Sequence, residues 1–339
     1  EQKPHLGTDE LIGIVTYIRK EIERLGGEVR FHCQMTDLLI QNGQIHGVQA
    51  TDLKTGEMEE IVSGQVVLAV GHSARDTFSM LKTRQIPMRA KPFAVGVRME
   101  HPQEMINHSQ YGTDADMSLL PTATYKLTHQ ASNGRGVYSF CMCPGGFVVN
   151  ASSEPQRLAV NGMSYRKRDS HNANSAIIVS VTPEDYPDGS HPLSGVAFQR
   201  DLEEKAWNLA KGKVPQQLFG DFEQGKVSTG YGSFESCVKG QHDFANLREI
   251  FPEALNEAFC EGMHAYGRKI VGFDRADCIL SGVESRTSSP VRIHRDETFQ
   301  SEIRGLYPCG EGAGYAGGIM SAAMDGLKVA EAILQQEMK

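Results

Sequence analysis

Apolar residues recur at alternating steps of four and three between Thr8 and Leu25: Leu11, Val15, Ile18, Ile22 and Leu25. That spacing places them on one face of a helix. Thr8 suits the N-cap, Asp9 and Glu10 suit the positive helix end, and Gly26 and Gly27 stop it. The period then drops to two. Val29, Phe31 and Cys33 alternate with Arg30 and His32, which predicts a strand over Glu28–Cys33. A meander follows. Leu38–Ile40 leads into Asn42-Gly43, a type I′ hairpin signal, Ile45–Thr51 returns, and Lys54-Thr55-Gly56 turns again. Val66–Val70 is a continuous apolar run ending at Gly71, the pattern of a strand buried on both faces of a parallel sheet.

From about Pro92 the pattern changes. Strands are predicted at Phe93–Met99, Thr124–His129, Arg135–Met142, Phe147–Ala151 and Ala176–Val181, punctuated by PGG, NG and PED turns. Helices are predicted at Gly195–Lys211 and Ala245–Met263. The chain from Gly305 reads as a short apolar strand, a glycine-dense turn and a long helix. This order predicts an α/β fold, α+β overall. Residues 1–90 and 278–339 make a discontinuous first domain, and 91–277 make an inserted, mainly antiparallel substrate-side domain. The strand at Val66–Val70 is expected beside Leu306–Cys309.

Composition narrows the function classes. The chain has 339 residues and can bury a substantial core. A net charge of −8 counts against a nucleic-acid backbone as partner. No apolar run reaches membrane-spanning length, and the C-terminal helix carries Asp325, Lys328 and Glu331. No secretory pattern opens the chain, and seven cysteines without framework spacing suit reduced thiols in a cytoplasmic protein. The histidines show no zinc spacing, so no metal is expected. Neither a Walker A loop nor a G-x-S-x-G elbow is present.

Gly312, Gly314 and Gly317 satisfy G-x-G-x-x-G. The dinucleotide fingerprint also needs a second strand with an acidic residue about 20 positions on. The chain ends at Lys339 in a helical pattern, so that reading fails. What survives is a glycine turn that either packs two elements tightly or aims a helix N-terminus at something electron-rich.

The stretches GLYPCGEGAGYAGGIMSAAMDG, ESRTSSPVRI and VVLAVGHSARDTF together resemble a family of bacterial FAD-dependent dehydrogenases, mostly of unassigned reaction, within the glutathione-reductase-like flavoproteins. The resemblance covers essentially the whole chain. Such proteins open on an ADP-cradling βαβ unit with its own G-x-G-x-x-G. Here none is found and the first residue is Glu1. The resemblance therefore implies the C-terminal portion of a longer flavoprotein, with an incomplete Rossmann-like FAD domain. Flavin binding and activity are expected in the full-length protein, and weak or absent in this chain alone.

The resemblance also implies cofactor contacts. Gly310 and Glu311 match the strand end where an acidic residue holds a ribityl hydroxyl. Gly317 and Gly318 allow close approach to the ring, with Gly318 in a turn that can demand positive φ. Ile319 and Met320 would offer their N–H groups to the charge that builds on a reduced flavin. Ala69, Val70 and Gly71 match the passage beside the ADP part. Met35 matches the adenine edge, although by itself it reads as core. Arg286, in ESRTSSP, offers a planar fork for a carboxylate or phosphate, the alternative being a turn with an Arg286–Glu284 pair.

Lys126 and His129 are candidate acid–base groups on the substrate side, set against a plain exposed strand edge. Cys141 and Cys143 alternate on a strand, so they face opposite sides and read as structural thiols. Three functions differ in class. The first is an FAD-dependent oxidoreductase transferring hydride between flavin and an unidentified small molecule. The second is a non-catalytic flavin-fold scaffold or binding module. The third is an RNA-modifying flavoprotein, which the acidic balance disfavours.

Overall fold

The computed structural model describes residues 6–338. Its elements begin with α1 (Thr8–Arg24), β1 (Cys33–Gln41), β2 (Gln44–Asp52), β3 (Met58–Val62), β4 (Val66–Leu68), α2 (Arg75–Thr83), β5 (Met88–Ala90), β6 (Phe93–Pro102) and α3 (Gln103–Tyr111). There follow β7 (Thr128–Gln130), β8 (Gly136–Cys143), β9 (Phe147–Asn150), β10 (Val160–Met163), β11 (Asn172–Val181), α4 (Ser194–Leu209), β12 (Val214–Leu218) and α5 (Phe219–Gln224). The chain closes with β13 (Val238–Lys239), β14 (His242–Phe244), α6 (Glu253–Gly267), β15 (Ile279–Glu284), β16 (Val291–Ile293), β17 (Leu306–Pro308) and α7 (Ile319–Glu337). This is a mixed α/β protein whose sheets are mostly antiparallel. Among the described residues no helix is long and apolar enough to cross a membrane.

Two compact units emerge. The sheet unit holds the described residues through Glu21, Ala94–Val181 and Gln199–Ser285, and the meander unit holds Ile22–Phe93, Thr182–Phe198 and the chain from Arg286 onward. These bounds differ from the expected ranges 1–90, 91–277 and 278–339. Most of α1 belongs to the sheet unit, residues 182–198 belong to the meander unit, and β15 takes a place in the large sheet.

The sheet unit is built on seven strands in the order β14-β12-β15-β6-β11-β8-β7. Its central strands β6 and β11 are buried almost throughout on both faces, and the buried positions include polar ones, among them Arg98, Glu100, Asn172 and Asn174. Helix α6 buries Leu255, Ala258, Phe259, Met263 and Tyr266, and the Tyr266 hydroxyl donates to the Val137 carbonyl of β8 at 2.7 Å. Two buried charges cross the middle. Arg98 of β6 meets Glu284 of β15 at 3.1 Å and donates also to Asn161 (2.9 Å) and the Cys141 carbonyl (2.8 Å). Burial pushes the Glu284 carboxyl up, and the Arg98 guanidinium opposes that push.

Some expected elements change length for local reasons. The helix expected at Ala245–Met263 starts at Glu253, because Pro252 occupies the N-cap and Asn246 caps a separate 3₁₀ turn at Leu247–Ile250. Of the expected strand Thr124–His129 only Thr128 and His129 join the sheet, and the strand runs on to Gln130. Upstream, the Ser139 hydroxyl accepts the Leu127 N–H at 2.7 Å.

In the meander unit, β1, β2 and β3 form an antiparallel sheet. Asn42 and Gly43 both have positive φ, 50° and 72°, as a type I′ turn requires. The strand expected at Glu28–Cys33 does not form. Pairing begins at Cys33, and the chain turns at Phe31-His32, where His32 has φ 55°. β4 and β17 pair in parallel, Leu306 opposite Val66 and Pro308 opposite Leu68. This pair is the whole of that sheet, and Val67 is 44% exposed, so burial on both faces is not realised. The core here gathers Leu38, Ile45, Leu68, Phe78, Leu81, Val291, Ile293 and Leu306.

Helix α1 forms over nearly the predicted span but buries no residue; Thr8, expected as N-cap, is its first helical residue, its N–H donating to the Ser164 carbonyl at 3.1 Å while the Asp9 carboxylate accepts the Arg166 N–H at 3.0 Å. Val15, Ile18 and Leu25 of its apolar face are 63%, 52% and 70% exposed.

Candidate functional site in the meander unit

The site grows from the start of α7. Gly318 is its N-cap, with φ 170°, ψ 172° and no side-chain cap. Ser321 Oγ donates to the Gly318 carbonyl (2.9 Å) and accepts the Gly317 N–H (3.2 Å). The Ala322 N–H makes the first helical bond, to Gly318 at 2.9 Å. The amides of Ile319 and Met320 precede that bond and have no intrahelical acceptor. Their side chains are exposed, and a Cβ placed on Gly317 or Gly318 would meet nothing within 4 Å. An open, uncapped helix start therefore presents N–H groups and the positive dipole end to free space. The φ of Gly318 is ordinary extended backbone, which corrects the expectation that this turn demands positive φ there.

The loop from Gly310 to Gly318 is held by close backbone approach. A Cβ on Gly312 would collide with the Val70 carbonyl oxygen, and Gly314 has φ +87° with the Val291 carbonyl 2.6 Å from its Cβ position. The Gly310 N–H donates to Asp325 Oδ2 at 2.8 Å. Asp325, nearly buried on α7, is clasped by Arg295 at 2.7 and 2.9 Å. Its carboxyl is held below the usual range by Arg295, against the cost of burial, with help from the Gly310 amide.

Around this loop the structure assembles several predicted residues. Val70 lies against Gly312 as described, and Gly71 leads directly into His72 and Ser73. Glu311 accepts a hydrogen bond from His72 Nδ1 at 2.7 Å, both side chains being largely buried. Arg286 Nη1 donates to Ser73 Oγ at 2.8 Å. Glu284 pairs with the buried Arg98 at 3.1 Å. Ala69 is exposed, and Met35 packs against the core of the unit. His72 and Ser73 were missed in the sequence. The signal was their position directly after Gly71, at the end of a strand that pairs with β17.

The other candidates lie in the sheet unit. Lys126 is exposed and lines a cleft of about 550 Å³ with Tyr125, Cys141 and Lys269. His129 does not line it. Its Nε2 meets Glu261 at 3.0 Å, and Glu261 also accepts the Ser132 N–H and hydroxyl. Those Ser132 bonds, with His129, hold the Glu261 carboxyl down to about 2. Cys141 has φ 45° where the register shifts opposite Asn174 and Ala176. A β-bulge thus interrupts the alternation from which opposite faces were expected. All seven cysteines are free thiols, and burial raises Cys143. Among the described residues no cluster of three or more metal-ligating side chains occurs.

The donor set suits a flavin: uncapped amides face open space at the start of α7, and the loop before them carries the Glu311 carboxylate. Comparison with known proteins bears on the family of the chain. Residues 92–287 match the family model described as FAD-dependent protein, C-terminal domain-like. An uncharacterized protein of Clostridium beijerinckii is 48% identical over 99% of this chain, which spans 62% of that relative's length. Among solved structures, glycerol-3-phosphate dehydrogenase of Bacillus halodurans with FAD aligns over 94% of this chain and 41% of its own, at 12% identity and a TM-score of 0.38. A quinol fumarate reductase of E. coli aligns over 88% and 43%, at 15% and 0.30. At those scores neither likeness carries an argument about fold or function.

Proposed function

The chain belongs to the family of FAD-dependent proteins with this C-terminal domain-like region, FAD is its cofactor, and we propose that it serves a flavoprotein oxidoreductase acting on a small molecule. The observation that carries this reading is the uncapped start of α7. When bound, FAD supplies two-electron chemistry, exchanging a hydride with the substrate. The amides of Ile319 and Met320 stabilise negative charge on a planar ring edge, and the glycines before them leave room for it. Glu311, oriented by His72, accepts a hydroxyl. Arg286, steadied by Ser73, offers a fork for an anionic substituent. Lys126 stands as the substrate-side acid–base candidate, while His129 is turned to Glu261.

Replacing Gly318 by valine tests the site. The backbone at Gly318 accepts any residue and the Cβ meets empty space, so Gly318→Val should melt like wild type. In the full-length protein it should lose flavin at least about tenfold, as a side chain now fills the approach. Flavin content and reduction rate equal to wild type would remove this turn from the site.

A further inference from the structure

The ribbon of β5 and β16 carries an arrangement that folding alone disfavours. Arg89 and Arg292 are direct cross-strand partners. Residues so placed share one face with Cβ atoms about 5 Å apart, and like charges there repel. Among the described residues neither guanidinium has an acidic partner. Arg292 is nonetheless fixed: it stacks on Tyr315 at 4.4 Å and its Nη2 donates to the Gly314 carbonyl at 2.8 Å. The other face-lining charges are already paired. Arg295 stacks on the same ring at 3.7 Å but is bound to Asp325, and His294 pairs with Glu302 at 2.5 Å. Arg89, Arg292, His294, Arg295, Glu302 and Tyr315 line a cleft of about 520 Å³, ample for a small ligand. The uncompensated field reaches Lys91, whose ammonium is pulled down by burial and then by Arg292.

We propose that this cleft is a binding site for a phosphate-bearing ligand, held between Arg89 and Arg292. A dianionic phosphate neutralises both guanidiniums and meets the fork of each, whereas a carboxylate leaves one charge over. The pre-fixed Arg292 supplies the rigid half of the site, and exposed Arg89 closes on the anion from the other strand.

Inorganic phosphate is the probe. Calorimetric titration of the chain at low ionic strength should show saturable binding at one site. Arg89→Gln should weaken that binding at least about tenfold. The same change should raise the melting temperature of the ligand-free protein, because it removes the cross-strand repulsion. A merely structural arginine would give the opposite sign. No saturable binding by wild type, or binding unchanged in Arg89→Gln, would overturn the proposal. No flavin enters this titration, so it stands or falls apart from the flavin reading. Two further arms separate sources. Displacement of phosphate by FAD but not by riboflavin assigns the site to the cofactor's pyrophosphate. Displacement by neither assigns it to a phosphorylated substrate.

Discussion

Helices α6 and α7 are both long and rich in apolar residues, and they differ in what they bury. Over 15 residues α6 buries Leu255, Ala258, Phe259, Met263, Ala265 and Tyr266. Over 19 residues α7 buries Asp325 and Val329, while Ile319, Met320, Met324, Leu327 and Leu334 are more than half exposed. The difference lies in the partner. α6 packs within a unit that owns a seven-stranded sheet, and α7 belongs to a unit whose parallel sheet has two strands. An apolar stripe therefore states what a helix is able to cover; whether it is covered depends on the surface opposite.

Mutations can break this comparison. Phe259→Ala in α6 removes a ring packed against Phe219 and Phe222 and should cost about 3–5 kcal/mol. Leu327→Ala in α7 should stay within about 0.5 kcal/mol. Equal costs in denaturant titrations would abolish the distinction.

Acid should strike the sheet unit next. His101 is fully buried, its Nε2 donates to the Phe273 carbonyl at 2.7 Å, and its Nδ1 has no partner. Burial above all depresses it from 6.5 to about 4. Because the folded value lies below the unfolded one, the unfolded chain binds the extra proton between those limits. The stability is full above about pH 6.5 and declines toward pH 4, by about 3 kcal/mol at most. His101→Gln should flatten that slope, as denaturant midpoints at pH 7 and pH 4.5 would show.

In the meander unit the corresponding group is Asp325. Asp325→Asn leaves Arg295 without its carboxylate and weakens the bond to Gly310, at a cost of about 2 kcal/mol. Its depressed carboxyl pKa has the same sign of effect: stability present at neutral pH and lost as pH falls through the folded value. Hydrogen exchange should show the amide of Gly310 opening first. A variant with wild-type protection at Gly310 would separate the loop from the helix.

What the sequence disclosed follows the range of the forces involved. The stop of α1 at Gly26-Gly27, the Asn42-Gly43 turn and the strand–turn–helix at Leu306–Glu337 rest on neighbours in the chain and were legible; the start of α1 was not, since the Thr8 N–H reaches the distant Ser164 carbonyl. The pairing of β4 with β17 was legible because both are short apolar runs ending in glycine-rich turns. The exposure of Val67 and of the α1 stripe was not, since burial needs a distant partner. The alternation through Cys141 misled because a bulge inserts one residue without any local mark. His72 escaped for a related reason: its role comes from Glu311, far along the chain, which no periodicity links to it.

The clasp of Asp325 has a mechanical meaning. Asp325 sits six residues into α7, about 9 Å from the helix start, and is fixed to β17 through Gly310 and to Arg295, which itself donates to the Pro308 carbonyl at 2.8 Å. Anchored at that point, α7 keeps the amides of Ile319 and Met320 aimed in one direction.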